Sequence, residues 1–379
     1  EKGNSRFVIA PDDAPYACTC ATCTALGNTE KNATPAVTEL IIRLSQRFPK
    51  HFFFTTSYLT TQQVTDKQLP SNTGVIVSAI DYPLRRTDGK DEQDKKFAAQ
   101  LDNWKKVTNN IYIWDYINNF DDYLTPFPIL KIAQQRLQFF KQHGASGIFF
   151  NGSGYSYSSF DEMRTFVLSS LLINPELPVD DLIRSYFNQE YPVSKKWLYD
   201  YYTELENNAQ SGKRLGLYAG IRESEKAFLY PDKFIKFYDE MGDFVSEAKG
   251  KERKKLHELQ TALSFTRLEL GRDHGFDAYG YAKRNGKEIQ PVPQARKWIT
   301  QLKEHKAFTG MEYYNESAYE IDYYIKEWEQ YLLSSDIKKN LFLGLNPSAT
   351  PKLNKIDSKK LTDGTHGLPG DYHCGWVII

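Results

Sequence analysis

No excess of charge of either sign marks this chain. Across 379 residues, 48 Lys plus Arg are matched by 48 Asp plus Glu, a formal net charge of zero. There is no basic surplus to neutralise a phosphate backbone, which argues against nucleic acid as a main partner. No apolar run approaches the roughly 18 residues of a membrane span, so no transmembrane segment is expected. A signal peptide is lacking as well. The chain starts with Glu1 and polar residues, as in a mature or trimmed form, which leaves cytoplasmic and exported locations undivided. No glycine-rich phosphate loop follows a strand-like run. Asn-Gly-Ser-Gly at 151–154 comes nearest and lacks the lysine of a nucleotide loop, so a dinucleotide fold finds little support.

Cysteine is scarce, with four in all. Three of them, Cys18, Cys20 and Cys23, crowd into C-x-C-x2-C, and Cys374 stands far away. A tetrahedral zinc site needs four ligands and no neighbouring His supplies the last. Three readings stay open for the cluster: free or disulfide-linked structural cysteines, a structural zinc, or redox chemistry. No other cofactor is expected. Aromatics, by contrast, are abundant at 14%. They suit core packing, and part of the surplus suits a carbohydrate site, where ring faces stack on sugar C–H faces.

Five short apolar runs in the first 155 residues read as buried parallel strands, near 6–11, 52–59, 74–80, 111–117 and 147–151. Helical patterns at 34–48, 91–107, 127–144 and 158–174 lie between and after them, and 60–73 reads as a loop. Alternating strands and helices imply a parallel sheet, either a (β/α) TIM-type barrel or an open doubly wound sheet; the barrel is favoured. A full barrel has eight strands, so about five make it partial, which leaves two readings: an association closes the barrel, or the chain is a fragment or degenerate form of one. The barrel part spans 1–175. A helical region at 176–333 shows no strand signal, and its charge runs read as solvated helix faces. The β-rich tail at 334–379 reads as the start of a β-sandwich-like module.

Active sites of such barrels are built at the carboxyl ends of the strands. Reading each strand to its end gives Asp12 and Asp13, then Tyr58, then Asp81 and Tyr82, then Trp114, Asp115, Tyr116, Asn118 and Asn119, then Asn151. None ends in Lys or Arg. Carboxylates and amides hydrogen-bond sugar hydroxyls, and Trp or Tyr stacks on the ring, so the inventory fits a neutral polyhydroxylated ligand. Glycosidic hydrolysis also needs carboxyl groups in two roles, one protonated and one ionised. Each residue has a plainer reading too. Pro-Asp-Asp-Ala-Pro is a common turn composition, Asp81 before Tyr82-Pro83 starts a turn, and Asn151 caps a loop backbone. Asp115, among large apolar residues, needs a partner when buried.

Taken together, VIAPDDAPYACTCATC, IYIWDYINNFDDYLTPFPIL, GASGIFFNGSG and MRTFVLSSLLINPELPVDDLI resemble domain-of-unknown-function family 4838, frequent in Bacteroidetes, over about residues 5–275. Its members look like glycoside-hydrolase barrels, and some resemble glycoside hydrolase family 163, endo-acting on N-acetylglucosamine linkages of N-glycans. The tail KLTDGTHGLPGDYHCGW is similar to the opening of discoidin-like sugar-binding modules. The resemblance implies that the first strand here is the fourth of a barrel. It also implies a retaining, substrate-assisted hexosaminidase-like mechanism, with Asp12 orienting the substrate's acetamido group and Asp13 as the acid, in a secreted, periplasmic or cell-surface protein. Asn-Asp is the commoner pair at that position, so Asp12 departs from the pattern. A non-catalytic carbohydrate-binding protein using the same pocket is the alternative expectation.

Overall fold

A computed structural model describes residues 3–87, 89–285 and 288–334, and the backbone of 338–339. The elements run in chain order: β1 (Arg6–Val8), α1 (Ala21–Ala25), α2 (Thr34–Arg47), β2 (Phe52–Ser57), β3 (Thr73–Ser78), α3 (Glu92–Lys105), β4 (Ile111–Tyr116), α4 (Leu130–Gln142), β5 (Gly147–Asn151) and α5 (Asp161–Ile173). Then come α6 (Val179–Glu190), α7 (Lys195–Ala209), α8 (Ile221–Ala227), α9 (Pro231–Glu247), α10 (Gly250–His274), β6 (Ala282–Asn285), β7 (Glu288–Pro291), α11 (Pro293–Thr309), α12 (Ile321–Glu327) and β8 (Lys338–Lys339). The chain divides into two compact units. The first holds the described residues to 117 with 132–151 and 171–176; the second holds 118–131, 152–170 and the described residues from 177 onward.

The first unit is built on β1 to β5, all parallel and hydrogen-bonded in sequence order. Sequential order has no point where the winding reverses, which separates this curled half-barrel from a doubly wound sheet. It is a partial TIM-type arrangement, as expected from the alternation of elements. Side chains alternate between faces along each strand. Val75, Val77, Ile111 and Ile113 point to the helical side and pack with Phe97, Leu101 and Trp104 of α3 and with Phe139 and Phe140 of α4. Asp91 caps α3 by accepting from the backbone of Gln93 and Asp94, at 2.8 and 2.9 Å. Trp104 is locked by its indole N–H, which donates to Ser57 Oγ at 3.0 Å.

The second unit is mainly helical. Its long helix α10 is buried continuously from Thr261 to Gly271, so only the earlier, lysine-rich part of this segment behaves as a solvated face. Arg267 stays inside by lying 3.8 Å over the Trp298 ring, and burial pulls its pKa down to about 10. The expectation of no strands before 333 is corrected: β6 and β7 form an antiparallel hairpin, and β8 pairs with β7. The signal was weak because each strand has four residues, with only Ala282 of β6 and Ile289 of β7 buried. The expected β-rich tail at 334–379, with its discoidin-like motif and Cys374, lies outside the described residues apart from Ser334 and the β8 backbone.

One buried carboxyl in this unit gives a pH prediction. Glu206 on α7 accepts from the backbone N–H groups of Leu130 and Lys131, at 3.0 and 2.9 Å, at the start of α4. Burial outweighs those bonds and pushes its pKa up to about 7 from 4.5. Between these values the folded chain keeps a proton that the unfolded chain has released, so raising the pH favours unfolding. Relative to Glu206→Gln, the wild type should lose stability from pH 4.5 to 7 with a slope approaching about 1.4 kcal/mol per pH unit. Urea titrations at several pH values would read this; parallel curves for the two proteins would reject it.

Candidate functional site

The face of the sheet opposite the helices carries the side chains that the core does not use. Cross-strand register sets Ser78 beside Trp114 and Trp114 beside Phe149, with Tyr116 beside Asn151 one step further along. Trp114 meets Phe149 edge-on at 5.3 Å between centroids. Phe149 is 55% exposed, large for an aromatic residue within a strand. The indole nitrogen of Trp114 is buried and has no hydrogen-bond partner among the described residues. A buried, unpaired N–H carries a free-energy cost that a ligand oxygen would relieve.

Above this face lie the strand ends. The phenol of Tyr58, just past β2, donates to Asp13 Oδ1 at 2.9 Å. Burial pushes the Tyr58 pKa up to about 12, helped by the bond to Asp13 and by the negative charge of Asp13 and Asp81, with the Tyr116 phenol also nearby. Tyr58 therefore remains a donor at any physiological pH, and the ends of β1, β2, β3 and β4 share one electrostatic neighbourhood. Asp12, Asp13 and Asp81 are exposed, whereas Tyr58, Trp114, Tyr116 and Asn151 are half-buried.

Other candidates go elsewhere. Asp115 is 1% exposed and faces the helices. Arg136 of α4 holds both its oxygens, Nε to Oδ2 at 2.9 Å and a terminal nitrogen to Oδ1 at 2.5 Å. The same guanidinium donates to the carbonyls of Tyr82 and Pro83, at 3.3 and 3.0 Å, and lies 4.4 Å over the Tyr82 ring. Tyr82 is itself core: it stacks on Phe97 at 4.6 Å and donates to Asp94 at 2.9 Å. Asp115 and Tyr82 are thus parts of one structural network, without surface to offer a ligand. Asn118 and Asn119 belong to the second unit and are buried there. Asn119 donates to Ala219 O at 2.7 Å and accepts from Ala219 N at 3.1 Å, while Asn118 accepts from Arg164 at 3.3 Å. Phe149 and Ser78 were absent from the sequence-derived set. Parity points to Phe149, two residues from Asn151, whereas Ser78 is found only through its cross-strand register with Trp114.

The three clustered cysteines are all free thiols, with sulfurs within 4.8 Å of one another. A bond from the Cys23 backbone holds the Cys20 thiol below its usual range, and bonding to Cys20 pushes Cys23 up to about 11. A second group of metal-ligating type, Glu225, Asp273 and His274, lies in the second unit. There both imidazole nitrogens are already taken, by Glu225 at 3.1 Å and Asp277 at 2.8 Å, which raises the His274 pKa to about 9. Asp273 pairs with Arg222 at 2.6 Å. That group is a self-neutralised ion-pair network. A cavity of about 230 Å³ in the same unit, beside Glu162 and Lys255, is likewise bordered by an internal pair, the Lys255 ammonium donating to Glu162.

Residues 2–209, more than half of the chain, match the family described as Domain of unknown function (DUF4838). The chain belongs to this family. No curated protein matches it. The DUF4838 region takes in all five parallel strands, the strand-end acids and the cysteine cluster, and it stops where α7 stops, at Ala209. No helix among the described residues is long and apolar enough to cross a membrane.

Proposed function

We propose that the concave face and strand ends of the five-stranded sheet form a saccharide site. On this reading the protein is a glycoside hydrolase acting on N-acetylhexosamine-containing glycans by a retaining, substrate-assisted mechanism. The observation that carries it is the Tyr58–Asp13 hydrogen bond with Asp81 and Tyr116 in the same electrostatic neighbourhood. Trp114 and Phe149 supply ring faces, and the unpaired indole N–H supplies a donor for a hydroxyl. Asp13 would pass its proton to the leaving glycosidic oxygen. Asp12 would orient the acetamido group whose carbonyl oxygen attacks the anomeric carbon, so the configuration is retained after two displacements. Asp81, Tyr116 and Asn151 would bind hydroxyls. The likeness of the strand-end motifs to glycan-cleaving barrels supports this reading, which places the protein outside the cytoplasm or at the cell surface.

The exposure of Asp12 and Asp13 favours a second reading, non-catalytic binding at the same place, because a proton-donating carboxyl is usually raised in pKa by apolar walls. One experiment separates the two. The full chain is incubated with a panel of N-acetylhexosamine glycans; products are followed by mass spectrometry and the anomer released by NMR. Cleavage with retention supports the hydrolase, binding without cleavage supports the second reading, and neither binding nor cleavage removes both. Trp114→Ala should weaken saccharide affinity about tenfold, a typical loss of one aromatic contact, measured by calorimetry; unchanged affinity would take the concave face out of the site.

A further inference from the structure

We propose that Cys18, Cys20 and Cys23 form a three-thiolate site for a soft d10 metal ion, Zn(II) or Cu(I), with one coordination position left open. The geometry is the first support. Three sulfurs bound at about 2.3 Å to one ion stand roughly 4 Å apart, and these already lie within 4.8 Å of one another. Closing onto an ion needs side-chain rotations, with no rebuilding of the loop.

The loop is also fixed beforehand by bonds that do not involve sulfur. The side chain of Asn28, a buried residue, donates to Cys18 O at 3.2 Å and accepts from Ala36 N at 3.0 Å, and its backbone N–H donates to Cys23 O at 3.0 Å. Ala17 N–H donates to Glu30 O at 2.7 Å, and the Thr24 hydroxyl donates to Thr19 O at 3.1 Å. One buried residue, through its side-chain amide and its backbone N–H, thus ties the backbone at the first and third cysteines to the start of α2. Packing gives no competing reason for the cluster: Cys18 and Cys20 are exposed, and α1 buries no residue.

The ligand count sets the class of ion. No His, Asp or Glu completes the group among the described residues. Three soft donors suit trigonal Cu(I), or Zn(II) with a solvent molecule as fourth ligand. Hard cations such as Mg(II) and Ca(II) prefer oxygen, and no carboxylate joins the three sulfurs among the described residues. On binding, each S–H gives its proton to solvent as its S–metal bond forms; no electrons move. The ion would brace the β1–α2 connection, which also carries Asp12 and Asp13, and this inference stands apart from the saccharide reading.

The test uses the full chain, reduced and then freed of reductant without air, both as it is and with Cys374→Ser so that the count refers to the cluster. Zn(II), Cd(II) and Cu(I) are titrated separately. The expected result is one ion per chain by native mass spectrometry, ultraviolet thiolate-to-Cd(II) charge transfer, and three thiols protected from alkylation. A Cys18→Ser/Cys20→Ser/Cys23→Ser variant should lose all of this while keeping its circular dichroism, and Cys23→Ser alone should weaken affinity at least about tenfold. Which ion binds tighter decides between Zn(II) and Cu(I). Thiols that stay fully alkylated with every ion, or one-to-one binding that survives in the triple variant, would overturn the proposal; the alkylation readout on unmutated protein keeps it decisive if the triple variant misfolds.

Discussion

Asp13→Asn is expected to lower glycan turnover by about 10²- to 10⁴-fold while leaving saccharide binding nearly unchanged, the range that a positioned general acid contributes. The substitution is narrow. Asparagine keeps the oxygen that accepts from Tyr58, so the strand-end geometry survives and only the transferable proton is lost. Tyr58→Phe provides the complementary cut: it removes the donor, keeps Asp13, and should cost less, about tenfold. Since burial and its neighbours push Tyr58 to about 12, no limb of a pH–rate profile between 4 and 9 should move in Tyr58→Phe because of Tyr58's own ionisation. Steady-state rates on the best substrate from the glycan panel would show each effect. An Asp13→Asn protein with wild-type turnover would leave the proton donor unassigned and, if Asp12→Asn and Asp81→Asn behaved likewise, would end the hydrolytic reading.

Much of the first unit was readable because its strands are buried, short and bounded by turns. Burial forces apolar runs, and the alternation with helices implies parallel pairing, though not the order of the strands. The expectation for the first strand, 6–11, runs long: β1 ends at Val8, before Ile9, Ala10 and Pro11. Parity was legible too. In Ile-Tyr-Ile-Trp-Asp-Tyr, the burial alternates strictly, and Asp115 shares the face of Ile111 and Ile113 while Trp114 and Tyr116 share the other. Period two therefore already assigned Asp115 to the helical side. Its guanidinium partner, 21 residues later on another element, left no local mark. Asn119 is the extreme case, since its partner Ala219 is 100 residues away. An amide beyond a strand end looks the same in sequence whether it meets a sugar or a distant backbone. The hairpin of β6 and β7 was illegible for the opposite reason: two buried side chains in eight residues make no period.

Removing either partner of the Asp115–Arg136 pair should destabilise the protein by about 3–5 kcal/mol, because each single change leaves an uncompensated charge in the core. Both side chains are 1% exposed. In Asp115→Ala the guanidinium would keep only the carbonyls of Tyr82 and Pro83, and in Arg136→Met the carboxylate would keep only the Tyr116 backbone N–H, at 2.9 Å. The double variant Asp115→Leu/Arg136→Met should be more stable than either single one, since apolar replacement of a buried pair is often neutral or better. A double-mutant cycle by urea unfolding measures the coupling. The cycle also bears on the site. A network that holds the Asp81–Tyr82–Pro83 turn by its carbonyls should, when cut, loosen Asp81, so saccharide affinity should fall in the singles as far as their folded fraction allows and no further in Asp115→Ala than in Arg136→Met. A folded Asp115→Ala protein within 1 kcal/mol of wild type that had lost all saccharide binding would instead return Asp115 to the ligand.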